Sequence, residues 1–242
     1  MKICIDPGHN GASEPGAVGP TGLKEADCTL AISKIAAEKL RQAGVSVIMT
    51  RDADKDISLT QRCRMANEAG VDSFVSIHIN SATNPSATGT ETYSFAVGTA
   101  GEKLAQAIQA GLVEAIRLPD RGIKTANYQV LRDTTMPAVL TEVCFICNPA
   151  EESLLRQESF LEKAAAGIAG GILRYYDVAT PAAPPHIESR AAEQAPPSGA
   201  RAAWQAAIQS RCGFDEPGGV WKVVDTHPFA DDVYRKWAES YK

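Results

Sequence analysis

Between Lys2 and Tyr176 the chain alternates short β-branched runs with longer stretches whose apolar residues recur every three or four positions. No other feature constrains the fold as strongly. The strands expected are Lys2–Asp6, Val45–Thr50, Phe74–Ile79, Thr90–Phe95, Gln129–Leu131 and Ala138–Phe145. The helices expected are Glu25–Ala43, Leu59–Ala69, Gly101–Ile116 and Ser159–Tyr176. Leu30, Ile32, Ile35, Ala36 and Leu40 form a helical stripe in the first, which stops at Gly44. Ser58 reads as the N-cap of the second. Such alternation implies a sheet covered by helices on both faces, the α/β class. Sheets of this kind place their chemistry in loops beyond the carboxyl ends of the strands.

The 242 residues suffice for one domain and something smaller. Residues 1–177 read as the main domain. Residues 178–200, "ATPAAPPHIESRAAEQAPPSGA" with its flanks, are rich in Pro and Ala and almost free of large apolar side chains, so they read as a linker. Residues 201–242 read as a small, mostly helical unit that holds all three tryptophans, Trp204, Trp221 and Trp237. So short a piece rarely makes a stable core alone, so it is expected to dock on something, to pair with a copy of itself or to use its aromatics on a ligand.

A net charge of -5 argues against non-specific nucleic-acid binding. No run of about 18 apolar residues occurs, so no membrane span is expected. Met1-Lys2 leads straight into Ile3-Cys4-Ile5-Asp6, too short an apolar run for a signal peptide, and synthesis in the cytoplasm is the expectation. The six cysteines are scattered through apolar segments and read as free thiols. Cys144-x-x-Cys147 lacks the second pair that a structural zinc site needs.

Hydrolytic zinc sites take three ligands from His and Asp/Glu and keep one position open. His9 follows the first strand and His78 lies near the end of the third, so one sheet can bring both imidazoles together. Glu25, at a helix start, can add a carboxylate, and Glu14 in the same loop competes for that role. The glycine-rich loop from Asn10 to Gly22 reads as a flexible bridge between them. His186 falls in the linker and reads as solvated. Glu142 interrupts the apolar run "PAVLTEVCF", where an ionised carboxylate is costly unless paired or functional. Arg132 or Arg51 would pair it in a structural role; burial would raise its pKa in a role as general acid and base.

These segments resemble the zinc-dependent N-acetylmuramoyl-L-alanine amidases of the amidase-3 family. The matching stretches are "IDPGHNG", "GLKEAD", "LTQRCRMANEAGVDSFVSIHINSA" and "VLRDTTMPAVLTEVCFICNPAEE", in family order over roughly residues 2–176. Departures are small: Ile79 stands where Ala is usual, and Cys144 and Cys147 replace commoner Gly and Ser. The resemblance implies a twisted six-stranded mixed sheet flanked by helices. It implies zinc bound by His9, Glu25 and His78, with Glu142 as the catalytic carboxylate. It also implies hydrolysis of the amide between N-acetylmuramic acid and L-alanine in bacterial peptidoglycan, by an endolysin or an autolysin acting at the cell wall. The alternatives are a zinc peptidase cutting within the stem peptide and a wall-binding protein without turnover.

Asp6 and Asn80 flank the histidines and are expected to fix the loops, with Asn80 a candidate substrate contact. Arg132, expected on the strand beside Glu142's, is a candidate for a stem-peptide carboxylate. Some relatives carry a helical insertion that plugs the site; "SATNPSATGT" is too short for one, which implies an open site.

Overall fold

The structure is a computed structural model that describes residues 1–11 and 13–178. The expected linker beyond Val178 and the unit at 201–242, with His186, His227 and Cys212, lie outside the described residues.

Among the described residues six strands and six helices follow one another: β1 (Lys2–Pro7), α1 (Glu25–Gln42), β2 (Ser46–Met49), α2 (Leu59–Ala69), β3 (Ser73–Asn80), β4 (Thr90–Ser94), α3 (Ala100–Ile116), β5 (Asp120–Thr125), α4 (Gln129–Arg132), β6 (Ala138–Phe145), α5 (Pro149–Leu155) and α6 (Glu158–Tyr175). The strands form one mixed sheet in the order β2-β1-β3-β6-β4-β5. β2, β1, β3 and β6 run parallel, β4 pairs antiparallel to β6, and β5 runs parallel to β4. The expected six-stranded mixed sheet is the one observed.

Alternation along the strands sorts the core into two layers. Ile3, Ile5, Val75, Ile77, Val139 and Val143 pack under α1, α3 and α6. Cys4, Phe74, Ala138 and Leu140 face the other way, against Cys63 and Ala66 of α2 and Val130 and Leu131 of α4. Ser58 caps α2 with the reciprocal Ser58–Gln61 capping box, and Gly70 ends that helix in the left-handed conformation. Cys4, Cys28, Cys63, Cys144 and Cys147 are free thiols, all but Cys147 buried.

The expected strand Gln129–Leu131 is instead the short helix α4, whose first turn is closed by Leu131 and Arg132 N–H groups donating to the Tyr128 carbonyl. The fifth strand lies earlier, at Asp120–Thr125. It is an edge strand with Ile123 as its one large apolar residue, so it carries no run by which to find it. The seven-residue α5, started by Asn148 and Pro149, also lies outside the expected helices.

Candidate metal centre and active site

Three side chains converge from three elements. His9 lies just beyond β1, Glu25 opens α1 and His78 lies near the end of β3. His9 Nε2 is 3.2 Å and His78 Nδ1 3.0 Å from Glu25 Oε1. The two imidazoles meet edge to face, with centroids 4.9 Å apart. One ligand atom from each of the three residues lies within 4.8 Å of the others, the one such group among the described residues.

Glu25 is buried. Burial pushes its carboxyl up, but hydrogen bonds and charge from His78 and His9 hold it well below the usual carboxylate range. Burial pulls His9 down, and the carboxylates of Glu25 and then Glu14 more than offset that. Two nitrogens and a buried carboxylate oxygen that close to one another form a donor set suited to zinc.

Glu14 and Glu25 part ways here. Glu14 is exposed and lies 2.7 Å from His9 Nδ1, the nitrogen opposite the one that faces Glu25. Its geometry is that of a group orienting an imidazole from behind.

Part of the loop between His9 and Glu25 is tied to its surroundings by hydrogen bonds. Glu152 of α5 accepts hydrogen bonds from Thr21 N, Thr21 Oγ1 and Leu23 N. Ala17 N donates to Glu25 Oε2 at 2.8 Å. Gly16 has φ +70°, and a Cβ there would lie 2.6 Å from both Glu25 Oε2 and the His9 ring. Its glycine answers to close packing on the donor set as well as to its φ.

Two buried arginines fix the turn that carries His9. Arg62 of α2 pairs with Asp6 at 2.7 Å and donates to the carbonyls of Pro7 and His9. Arg51 donates to the carbonyls of Pro7, Gly8 and Ala26, and so ties the turn to α1. Asp6 also accepts from Thr50 Oγ1 at 2.5 Å and Ser76 Oγ at 2.7 Å, which gives it the loop-fixing position expected of it. Removing one partner of a buried pair of this kind costs about 3–5 kcal/mol. That network holds His9 at φ +60°, a conformation uncommon outside glycine and typical of strained functional sites. Sequence reasoning passed over Arg62 and weighed Arg51 only as a partner for Glu142. Nothing in local spacing marks either; their signal is burial.

Glu142 stands beside His78, its Cα partner across the β3–β6 pairing. Both point to the α2/α4 face, in alternation with Phe74 and Leu140. Neither Arg51 nor Arg132 pairs with Glu142, and its Oε2 is buried with no hydrogen-bond partner. Burial pushes the Glu142 carboxyl up to about 7, with His78 and His9 opposing and Glu25 and Glu91 reinforcing.

Arg132 is exposed at the end of α4 and binds Asp133 at 2.8 Å. Asn80 donates to Glu91 at 2.8 Å. Tyr128 and Leu59, both exposed, join His9, His78, Arg62 and Glu142 around a cleft of about 600 Å3. The loop between β3 and β4 holds no helix over the cleft.

The Amidase_3 family, described as N-acetylmuramoyl-L-alanine amidase, matches residues 3–174. The sporulation-specific N-acetylmuramoyl-L-alanine amidase of Bacillus subtilis (strain 168) is 39% identical over 181 residues, 74% of this chain and 69% of that protein. The endolysin of Bacillus phage SPP1 is 39% identical over 177 residues, 70% of this chain and 64% of that protein. The catalytic domain of CwlV, an N-acetylmuramoyl-L-alanine amidase from Bacillus (Paenibacillus) polymyxa var. colistinus, superposes with a TM-score of 0.71 at 38% identity. It covers 74% of this chain and 99% of that one.

Proposed function

This chain belongs to the N-acetylmuramoyl-L-alanine amidase family, and from that premise we propose that it cleaves the amide between the lactyl group of N-acetylmuramic acid and L-alanine of the stem peptide. His9, Glu25 and His78 would hold a zinc ion, and Glu142 would move the proton. When bound, zinc supplies a Lewis acid that polarises an amide carbonyl and brings the pKa of a water molecule toward about 7.

The observation that carries the reading is Glu142: a half-buried carboxylate, its Oε2 buried with no hydrogen-bond partner, in strand register with His78 and lining the cleft. The Glu142 carboxylate accepts a proton from the attacking water as a C–O bond forms at the lactyl carbonyl carbon. It holds that proton while the C–N bond breaks and delivers it to the alanine nitrogen. Glu14 keeps the His9 ring turned toward the site, and Arg62 and Arg51 keep its backbone there. Apolar Leu59, Val130 and Leu140 on the cleft wall exclude water from the reacting amide.

Mass spectrometry of purified peptidoglycan digested by the full chain tests this. The expected products are glycan free of peptide and intact stem peptides with free L-alanine amino termini. Cuts within the stem would replace the reading with a peptidase. Intact walls would leave a binding protein without turnover.

The relatives include a phage endolysin and a sporulation amidase by name, and the cell wall is the proposed place of action. Among the described residues no helix is long and apolar enough to cross a membrane. Residues 178–200 and 201–242 are proposed as a linker and a wall-binding or pairing unit. Retention of residues 198–242 on purified walls would favour binding; a dimer in sedimentation without retention would favour pairing.

A further inference from the structure

The row that begins with His78 and Glu142 continues across the sheet. Glu91 of β4 is the Cα partner of Glu142 on the opposite side from His78, and it is buried. Arg121 Nε and Lys124 Nζ, from the edge strand β5, both lie 2.6 Å from the same oxygen, Glu91 Oε2. Glu91 Oε1 accepts from Asn80 Nδ2 at 2.8 Å and from the Tyr93 hydroxyl at 2.6 Å.

A regular strand could not arrange this. Positions 121 and 124 differ by an odd number and would point to opposite faces. The β4–β5 register shifts between Thr90 and Thr92, and Gly122 sits in that shift at φ +76°. One extra residue on β5 turns both cations toward Glu91, as β-bulges do when they re-aim a side chain. Arg121 also lies over the Phe145 ring at 4.8 Å and Lys124 over Tyr93 at 5.8 Å, which fixes both.

Two cations thus meet one carboxylate, leaving a net positive charge at the surface. Their side chains are 39% and 37% exposed, and Arg121 Nη2 has no acceptor among the described residues. The cleft itself is lined by Glu14, Asp56 and Glu142, and Arg121 and Lys124 stand outside that lining, beyond Glu91. Two strand spacings of about 4.8 Å separate β6 from β5, so the pair stands roughly 10 Å from Glu142. That is within reach of the residue after the one whose amide is cut.

We propose that Arg121 and Lys124 form a carboxylate-binding subsite for the acidic second residue of the stem peptide, and so orient the peptide toward β5. The inference rests on the amidase reading above. It stands beside Arg132, bound to Asp133, as a second candidate for a stem carboxylate.

The full chain, loaded with zinc, is assayed on N-acetylmuramoyl-L-alanyl-D-glutamate and on the same compound with both glutamate carboxyls amidated. The charged substrate is expected to have a kcat/KM about 10- to 100-fold higher, with the difference shrinking as salt rises. Arg121→Gln with Lys124→Gln is expected to bring the two substrates to the same kcat/KM. Because that pair of changes strips a buried carboxylate of its partners, the triple variant with Glu91→Gln is measured beside it. Equal cleavage of both substrates by the unmodified chain would overturn the subsite while leaving the amidase reading intact, as would a preference that survives in a folded triple variant. Cleavage of neither, together with inertness on whole peptidoglycan, would overturn both.

Discussion

Glu142→Gln is expected to lower kcat on peptidoglycan by roughly a thousandfold, within the range that a positioned proton carrier contributes, while the protein still takes up zinc. Glutamine keeps the shape of the side chain but cannot accept a proton and pass it on. The same change carries a stability signature that a merely structural glutamate would not give. In the metal-free protein burial raises the Glu142 carboxyl to about 7, above the roughly 4.3 of an unfolded chain. A carboxyl raised on folding contributes fully below the unfolded pKa, where it is protonated in both states. That contribution is lost as pH rises through 7. Glu142→Gln is therefore more stable than the parent at pH 8, by on the order of 1–3 kcal/mol, and matches it near pH 4. Urea unfolding of the two metal-free proteins at both pH values, beside kcat of the zinc forms, is the check. A variant with near-parental kcat would remove Glu142 from the chemistry. A variant less stable at pH 8 would mean that the carboxylate has a partner after all.

Glu25→Gln is the second large effect. Zinc affinity is expected to fall by more than the roughly 100-fold that a supporting contact is worth, and hydrolysis to fall to background at limiting zinc. Glu25 faces both imidazoles within 3.2 Å, whereas Glu14 touches His9 from behind. Glu14→Gln should therefore weaken zinc binding only about 10- to 100-fold and restore activity when zinc is raised. Zinc titration against a competing chelator separates the two. The assignment collapses if Glu14→Gln loses the metal and Glu25→Gln keeps it.

The interior strands were legible because they are buried on both faces. β6 spans the eight residues expected of it, and β1 and β3 differ from expectation only at their ends. β5 escaped because an edge strand with exposed faces needs no apolar pattern. The histidines and Glu142 stood out because polar groups in apolar strands need a reason. Glu91 did not: "GTETYS" gives no sign that its glutamate is buried between two cations and two hydrogen-bond donors.

By itself the sequence determined the layered α/β fold and the family, because both follow from local periodicity and from side chains whose chemistry shows wherever they stand. It also brought His9, Glu25, His78 and Glu142 forward as candidates. The tertiary structure alone decided that Glu25 faces both imidazoles while Glu14 meets His9 from behind, that Arg51 and Arg62 clamp the His9 turn, and that Arg121 and Lys124 reach Glu91. Each of these depends on which face a strand presents and on where a bulge shifts its register. Those are long-range properties, set when the sheet closes between segments far apart in the chain.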